Sequence, residues 1–363
     1  MPLTIHENVP LAPLTTFRVG GPARFFIEAV TENEVRAAVE HAVLNNLKLF
    51  VLGGGSNLVI ADSGWPGLVL KIALQGISEH REGKNVYVTA AAGEDWDSFV
   101  AYCVELGYAG IECLSGIPGS VGGTPVQNVG AYGQEVAETI STIRVFDLAA
   151  GQVRDISNAD AGFTYRTSVF NSSQRGRFIV LAVTYQLIPG GAPTIEYADL
   201  KKYFAERNLA APTLRQVREA VRAVRHSKAM LIVPDDPDCR SAGSFFKNPI
   251  VSEAEYQHIA ARAPEAPPRY PAADGRVKIS AAWLVERAGF HKGYSRGPVG
   301  LSSKHALAIV NRGGATAADI LALRDQIQGR VAEVFGVQLH PEPVFVGLDA
   351  SSANRTAAIP PQV

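Results

Sequence analysis

Three glycine clusters are the first feature of this sequence that could do chemistry. They read GGGSN at 53–57, GIPGSVGG at 116–123 and NVGAYG at 128–133. Runs of backbone N–H groups without bulky side chains can bind a diphosphate, which predicts an anion-binding role for these loops. Tight turns are the alternative explanation for any single cluster. No glycine precedes a Lys-Ser or Lys-Thr pair, which argues against a nucleoside triphosphatase loop.

Three further segments carry polar residues among apolar ones. Arg166, in FTYRTSVF, could hold a carboxylate through two parallel hydrogen bonds, or could be a buried arginine paired with a structural acid. Ser244, in SAGSFFKNP, could donate a proton, although a lone serine is more often a turn or cap residue. Glu342, in LHPEPVF, lies between two prolines at what reads as the start of a strand, where it could be a positioned carboxylate or an ordinary acid at a strand edge.

A basic helix and two tyrosines complete the candidate residues. The helix is predicted over 213–228, and its basic residues share one face: Arg215, Arg218, Arg222, Arg225 and Lys228. We expect most of this face to be solvated, with Lys228 the best candidate for a phosphate contact. Tyr197 and Tyr270 lie in predicted loops, where they could stack on a base or sugar or merely cover a core.

The composition of the chain limits the class of protein to which it could belong. The chain has 363 residues, 47% of them hydrophobic, with 34 basic and 35 acidic side chains. This predicts two or three folded domains, and no overall charge that would attract nucleic acid or a membrane surface. Three scattered cysteines and eight histidines give no disulfide framework or metal motif. With no signal peptide or long apolar run, we expect a cytoplasmic protein.

Strands and helices that could position these residues alternate along the chain. Helices are predicted after the capping boxes at Thr31 and Thr213, after Ser252 and Ser280, and over 316–335. The first glycine loop joins strand to strand, where a Rossmann unit would have a helix. TIRVFDL and QVRDI predict a hairpin, 263–275 reads as a proline-rich linker, and 337–346 reads as a strand. The tail, 350–363, is predicted to be disordered.

Six motifs in order closely resemble those of the UDP-N-acetylenolpyruvoylglucosamine reductase family, flavoenzymes of bacterial cell-wall synthesis. They are TTFRVGGPA, VLGGGSNLVI, GIPGSVGGTPVQNVGAYGQE, FTYRTSVF, SAGSFFKNP and LHPEPVF. The likeness runs from about residue 5 to 347, and TIEYADL resembles the branch with an extra tyrosine-bearing loop over the substrate. Two departures are His340 and Pro343, on either side of the last Pro-Glu pair, and a third is His305, where relatives often have glutamine.

The resemblance implies an α+β fold: a two-part FAD-binding module of the vanillyl-alcohol-oxidase (PCMH) type, and a C-terminal α+β substrate-binding domain. The implied boundaries are 1–75 with a return at 345–350, 76–228, and 229–345. The implied reaction reduces UDP-N-acetylglucosamine enolpyruvate to UDP-N-acetylmuramate, with NADPH as co-substrate and non-covalent FAD. We expect a monomer. The alternatives are an FAD-dependent oxidase of an alcohol or sugar, and a nucleotide-sugar binding protein that has lost catalysis.

The resemblance also assigns roles to residues by their place in the motifs. Arg166 and Glu342 would engage the substrate carboxylate, and Ser244 would protonate the neighbouring carbon. The implied substrate-binding residues are Tyr165, Tyr197, Lys228, Asn248 and Tyr270. The implied cofactor-binding residues are Gly53, Gly54, Gly55, Ser56, Asn57, Pro118, Gly119, Ser120, Gly122, Gly123, Gly130 and Tyr132.

Overall fold

The computed structural model describes residues 3–348, so the tail predicted to be disordered lies outside the described residues. The strands are β1 (His6–Pro10), β2 (Pro22–Ala29), β3 (Leu49–Leu52), β4 (Leu58–Ile60), β5 (Trp65–Ile72), β6 (Ile77–Glu82), β7 (Asn85–Ala91), β8 (Tyr108–Ala109), β9 (Gly130–Ala131), β10 (Gln134–Glu135), β11 (Ile140–Asp147), β12 (Gln152–Ser157), β13 (Phe178–Pro189), β14 (Ile250–Val251), β15 (Arg269–Pro271), β16 (Val277–Ile279), β17 (Ser295–Arg296), β18 (Val299–Leu301), β19 (Ile309–Asn311) and β20 (Val344–Val346). The helices are α1 (Glu32–Leu44), α2 (Trp96–Glu105), α3 (Ala198–Ala205), α4 (Leu214–Ser227), α5 (Glu253–Ala260), α6 (Ala281–Arg287) and α7 (Ala317–Phe335).

The described chain divides into two compact units. The first unit comprises residues 3–9, 23–55 and 66–231, and the second comprises residues 10–22, 56–65 and 232–348. The first glycine loop, 53–57, therefore has its glycines in the first unit and its last two residues in the second.

Besides the antiparallel pair of β9 and β10, the first unit contains two larger sheets. One has the strand order β1-β2-β5-β3, with β3 and β5 parallel, and the other has the order β12-β11-β13-β7-β6, with β8 also paired to β13. The pairs of the second sheet are antiparallel, and β11 and β12 form the predicted hairpin. Alternating apolar residues on β7 and β13 are buried against α2, where Trp96 and Phe99 pack on Tyr185. This core fixes the chain on both sides of the second glycine loop.

The second unit is built from short strands around one long helix. Its strands pair in the orders β14-β16-β15 and β17-β18-β19, and β20 runs parallel to β4. One face of α7 is buried, including Ile320, Leu323, Ile327 and Val331, and it packs in one core with Phe245. Among residues 3–348, no helix is long and apolar enough to cross a membrane.

Local capping signals predicted the helix starts correctly. The capping boxes at Thr31, Thr213, Ser252 and Thr316 are all formed, each with its side chain accepting the backbone N–H three residues later. Ser280 also accepts the Trp283 N–H at the start of α6. These helices therefore begin where short-range hydrogen bonding dictates.

Two predictions for the second unit were wrong in extent. The proline-rich segment 263–275 is not only a linker, because β15 lies within it and pairs with β16. The strand predicted over 337–346 is confined to Val344–Val346, with a single bridge between Pro341 and Phe246 before it. Prolines at 341 and 343 each lack a backbone donor, so the ladder cannot extend through them.

Candidate active site

The glycines of the first loop lie against the second glycine loop within the first unit. A Cβ placed on Gly54 would lie 2.5 Å from the Cα of Gly119 and 2.7 Å from the nitrogen of Ser120. Gly55 has φ +67°, a left-handed conformation that disfavours side chains. The two loops therefore approach to a distance that only glycine allows.

A buried hydroxyl lies where the two loops meet. Ser120 is 7% exposed, and its Oγ has no hydrogen-bond partner in the described part of the chain. A Cβ on Gly53 would lie 3.0 Å from this oxygen. Buried polar atoms are usually satisfied, so an unpartnered hydroxyl facing a glycine loop fits a polar ligand such as a phosphate.

The backbone of the second loop corrects one prediction. The sequence predicts a run of free N–H groups, but those of residues 121–123 are already bonded. Val121 donates to Glu94 O (2.9 Å), Gly122 to Ala92 O (2.9 Å) and Gly123 to Ser120 O (2.9 Å). These bonds fix the loop and remove three donors from any anion. We therefore regard the Ser120 hydroxyl as the stronger candidate donor of this loop.

The third glycine cluster lies beside Arg166. Tyr165 and Arg166 form the tip of a tight turn, which Thr164 and Thr167 close with two backbone hydrogen bonds of 3.0 and 3.1 Å. Arg166 has φ 55°, and its Nη2 donates to the carbonyl of Gly130 at 2.7 Å. The turn therefore presents Arg166 in a fixed backbone conformation next to a predicted cofactor-binding glycine.

Two aromatic residues and an ion pair form a second group in the first unit. Tyr132 and Tyr197 meet edge to face with ring centroids 5.3 Å apart, and Tyr197 is the residue before α3. Lys228, the residue after α4, forms an ion pair with Asp199 on α3. Burial alone would lower the pKa of Lys228, but the hydrogen bond and charge of Asp199 raise it overall. Lys228, the predicted phosphate contact, therefore lies near Tyr197, a predicted substrate residue, and is already paired with the carboxylate of Asp199.

The basic face of α4 is not simply solvated, which corrects a second prediction. Arg218 and Arg222 both form ion pairs with Asp97 on α2, and the N–H of Gly116 also donates to Asp97 at 2.6 Å. Arg225 is 8% exposed, and its Nε donates to the carbonyl of Gly116 at 3.0 Å. Gly116, the first residue of the second glycine loop, is therefore held by Arg225 of α4 through its C=O and by Asp97 of α2 through its N–H.

The charge network also sets the ionisation of Asp97. Burial by itself would raise the pKa of this carboxyl group. The hydrogen bonds from Arg218 and Gly116, with the charges of Arg218 and Arg222, bring the pKa below its ordinary value. Asp97 is thus a carboxylate at neutral pH and an acceptor for all three groups.

In the second unit, the segments that carry Ser244 and Glu342 pair with each other. The N–H of Glu342 donates to Phe245 O (2.9 Å), and the N–H of Lys247 donates to His340 O (2.9 Å). Glu342 is fixed again by Asn57, whose Nδ2 donates to Glu342 O (3.3 Å). Both predicted catalytic residues of this unit therefore belong to one hydrogen-bonded backbone.

The remaining predicted residues of the second unit have distinct surroundings. Asn248 accepts the N–H of Ala281 through Oδ1 (2.9 Å), which caps the start of α6. Tyr270 lies on β15 with 51% of its surface exposed, and not in a loop as the sequence suggested. The Nδ1 of His305 lies 2.9 Å from the N–H of Leu307 as an acceptor, so a neutral ring carries its proton on Nε2.

Two contacts escaped sequence reasoning. Lys71 donates a hydrogen bond to the carbonyl of Gly53, and Asp199 forms an ion pair with Lys228. A lysine interrupting the apolar run LVLKI was the available signal for the first. The second has no local signal, because an acid in the first turn of a helix is ordinary. Across residues 3–348, no group of three or more His, Cys, Asp or Glu side chains could hold a metal ion.

Comparison with known proteins gives matches along most of the chain. Residues 235–346 match the model of the UDP-N-acetylenolpyruvoylglucosamine reductase C-terminal domain, and residues 23–157 match an FAD binding domain. The chain is 47% identical over 356 residues to UDP-N-acetylenolpyruvoylglucosamine reductase of Thermobifida fusca, covering 96% of this chain and 99% of that protein. It is 45% identical over 357 residues to the reductase of Mycobacterium tuberculosis, covering 94% and 95%.

A solved structure agrees with these matches. The crystal structure of UDP-N-acetylenolpyruvylglucosamine reductase from Thermus caldophilus aligns with a TM-score of 0.63 and 25% identity, covering 95% of this chain and 99% of that one. Together with the two domain matches, it confirms the predicted fold class, an FAD-binding module with a C-terminal domain of mixed helices and strands.

Proposed function

Because this chain belongs to the UDP-N-acetylenolpyruvoylglucosamine reductase family, we propose that it reduces UDP-N-acetylglucosamine enolpyruvate to UDP-N-acetylmuramate with NADPH. It is an FAD-containing oxidoreductase of peptidoglycan precursor synthesis. The observation that carries the proposal is the contact of the two glycine loops around the unpartnered Ser120 hydroxyl. Such a place fits the diphosphate of a non-covalently bound FAD.

The glycine loops would hold the cofactor in this proposal. Gly53, Gly54 and Gly119 leave room for a close approach of the diphosphate, and Ser120 supplies a buried hydroxyl donor. When bound, FAD supplies the two-electron chemistry that couples NADPH oxidation to substrate reduction. Because NADPH and substrate would react in turn, we expect ping-pong kinetics and inhibition by excess substrate.

The reaction needs a cation near the carboxylate and a source of one proton. The substrate double bond gains a hydride at its far carbon and a proton at the carbon that bears the carboxylate. Negative charge develops in that carboxylate, so Arg166 would stabilise the transition state, and Glu342 would engage the same group. Ser244 would supply the proton from its hydroxyl. Its position in a backbone paired with that of Glu342 supports this assignment.

The substrate's nucleotide and sugar would be bound by the aromatic and cationic residues. Tyr197 lies near Lys228, and 44% of its surface is exposed, so it is available to a ligand. Lys228 would bind a phosphate by exchanging its carboxylate partner. Tyr165, Asn248 and Tyr270 complete the proposed set.

Steady-state turnover under anaerobic conditions tests the proposed reaction. NADPH should be oxidised only when UDP-N-acetylglucosamine enolpyruvate is present, and mass spectrometry should find a product heavier by two hydrogens. An oxidase of an alcohol or sugar would instead need oxygen, release hydrogen peroxide and leave the enolpyruvyl compound unchanged. Colourless protein that neither contains nor binds FAD would contradict both flavin enzymes.

A further inference from the structure

Lys71 is a charged residue in the interior of the first unit that the proposed mechanism does not use. It lies on β5 between Leu70 and Ile72, which are 0% and 4% exposed, and it is itself half-buried. Burial lowers the pKa of its ammonium group, and the charge of Glu28 offsets part of that effect. A lysine in such a place is uncommon unless its charge is used.

The ammonium of Lys71 is directed to the first glycine loop. It donates a hydrogen bond to the carbonyl oxygen of Gly53, at the end of the neighbouring parallel strand β3. Within residues 3–348, no carboxylate forms an ion pair with it. The hydrogen-bond partner of Lys71 is a neutral carbonyl, and Glu28 on the neighbouring strand β2 acts on it through its charge without an ion pair, so the ammonium can still attract a nearby anion.

The hydrogen bond also fixes how one peptide of the loop is turned. In a planar trans peptide the C=O and the following N–H point in opposite directions. When the Gly53 carbonyl faces Lys71, the Gly54 N–H faces the other way. Gly54 also packs against the second loop, since a Cβ placed on it would lie 2.5 Å from the Cα of Gly119. Lys71 therefore controls the peptide at the point where the two loops meet.

We propose that Lys71 is a positioning residue for an anionic cofactor. It holds the Gly53–Gly54 peptide and places a positive charge behind the first glycine loop, which raises the affinity for the diphosphate of FAD. The inference rests on the proposed function only in taking FAD as the anion.

The test is FAD binding by the full chain after its flavin has been removed. Flavin fluorescence titrations would compare the wild type with Lys71→Met, Lys71→Gln and Lys71→Arg. The matched control is Lys84→Met, an exposed lysine in the turn between β6 and β7. We expect Lys71→Met to weaken FAD binding by about 10- to 100-fold, the range for loss of a charge-assisted hydrogen bond. Lys71→Gln should weaken FAD binding by about half as much on a logarithmic scale. The FAD affinity of Lys71→Arg should stay within about 3-fold of the wild-type value.

Salt dependence separates a role toward the diphosphate from a purely structural one. FAD affinity of the wild type should fall more steeply with KCl than that of Lys71→Met, while Lys84→Met should follow the wild type. Equal FAD affinity in the wild type and Lys71→Gln, or equal salt slopes in all the Lys71 variants, would overturn the proposal. If Lys71→Met fails to fold, Lys71→Gln and Lys71→Arg decide the matter. A wild-type chain that binds no FAD would contradict the proposed function itself.

Discussion

Gly54→Ala probes the contact on which the proposed cofactor site depends. The new Cβ would lie 2.5 Å from Gly119 Cα, 2.7 Å from Gly119 C and 2.7 Å from Ser120 N. Carbon atoms in contact normally lie about 3.5–4.0 Å apart, so the two loops must separate by about 1 Å. All three atoms belong to backbone, and no side-chain rotation relieves the clash. Overpacking of this kind costs about 1–3 kcal/mol.

Separation of the loops should be visible in both stability and cofactor content. We expect Gly54→Ala to lower the unfolding temperature of the flavin-free chain. Since both loops are proposed to hold the diphosphate, separating them would move the Ser120 hydroxyl away from it. FAD affinity should then fall by about 10- to 100-fold, the range for loss of one hydrogen bond from a buried polar group. Thermal unfolding of the flavin-free protein and FAD titration measure the two effects independently.

Gly329→Ala is the matched control. Gly329 lies within α7, and a Cβ there would meet no heavy atom within 4 Å. The substitution should stabilise the chain by about 0.5–1 kcal/mol and leave FAD binding unchanged. If Gly54→Ala binds FAD like the wild type and unfolds at the same temperature, the close approach of the loops would be refuted.

Three other predictions concern the charged residues. Asp199→Asn should tighten UDP binding by about 2- to 5-fold in calorimetry, because it removes the carboxylate paired with the partly exposed Lys228. Weaker UDP binding would show that Asp199 instead orients this lysine. Asp97→Asn should destabilise the chain by about 1–3 kcal/mol in urea at pH 7. The pKa of Asp97 is lower in the folded chain than in the unfolded chain, so the stabilisation by Asp97 is present above its unfolded pKa, about 4, and is lost as the pH falls through the folded pKa. The stability of Asp97→Asn should therefore fall less than that of the wild type between about pH 5 and pH 3. Equal acid sensitivity of the two proteins would contradict the network. Arg166→Lys should lower kcat by about 100-fold with FAD binding intact, since lysine cannot donate two parallel hydrogen bonds, and an unchanged kcat would remove Arg166 from the reaction.

Local signals carried the successful part of the sequence prediction. The helix starts at Thr31, Thr213 and Thr316 follow from hydrogen bonds between residues three apart, which the sequence displays directly. The hairpin of β11 and β12 follows in the same way from alternation and a short turn. The concentration of glycine also drew attention to the loops that approach closely at Gly54 and Gly119, while their role in binding a cofactor stays a prediction.

Long-range contacts account for what the sequence did not reveal. Arg218 meets Asp97 across 121 positions of sequence, which is why a basic stripe looked solvated when it was paired. Lys71 meets Gly53 only because β3 and β5 pair in parallel. The bonded N–H groups of residues 121–123 depend on the chain at 92–94, which no local pattern indicates.

An anaerobic half-reaction experiment tests the central claim most directly. The flavin of the purified protein is reduced with one equivalent of NADPH, UDP-N-acetylglucosamine enolpyruvate is added, and the absorbance of oxidised flavin is followed. We predict that the substrate reoxidises the flavin, and that Ser244→Ala slows this step severely while reduction by NADPH proceeds as in the wild type. Flavin that stays reduced until oxygen is admitted would contradict the proposed substrate and favour an oxidase.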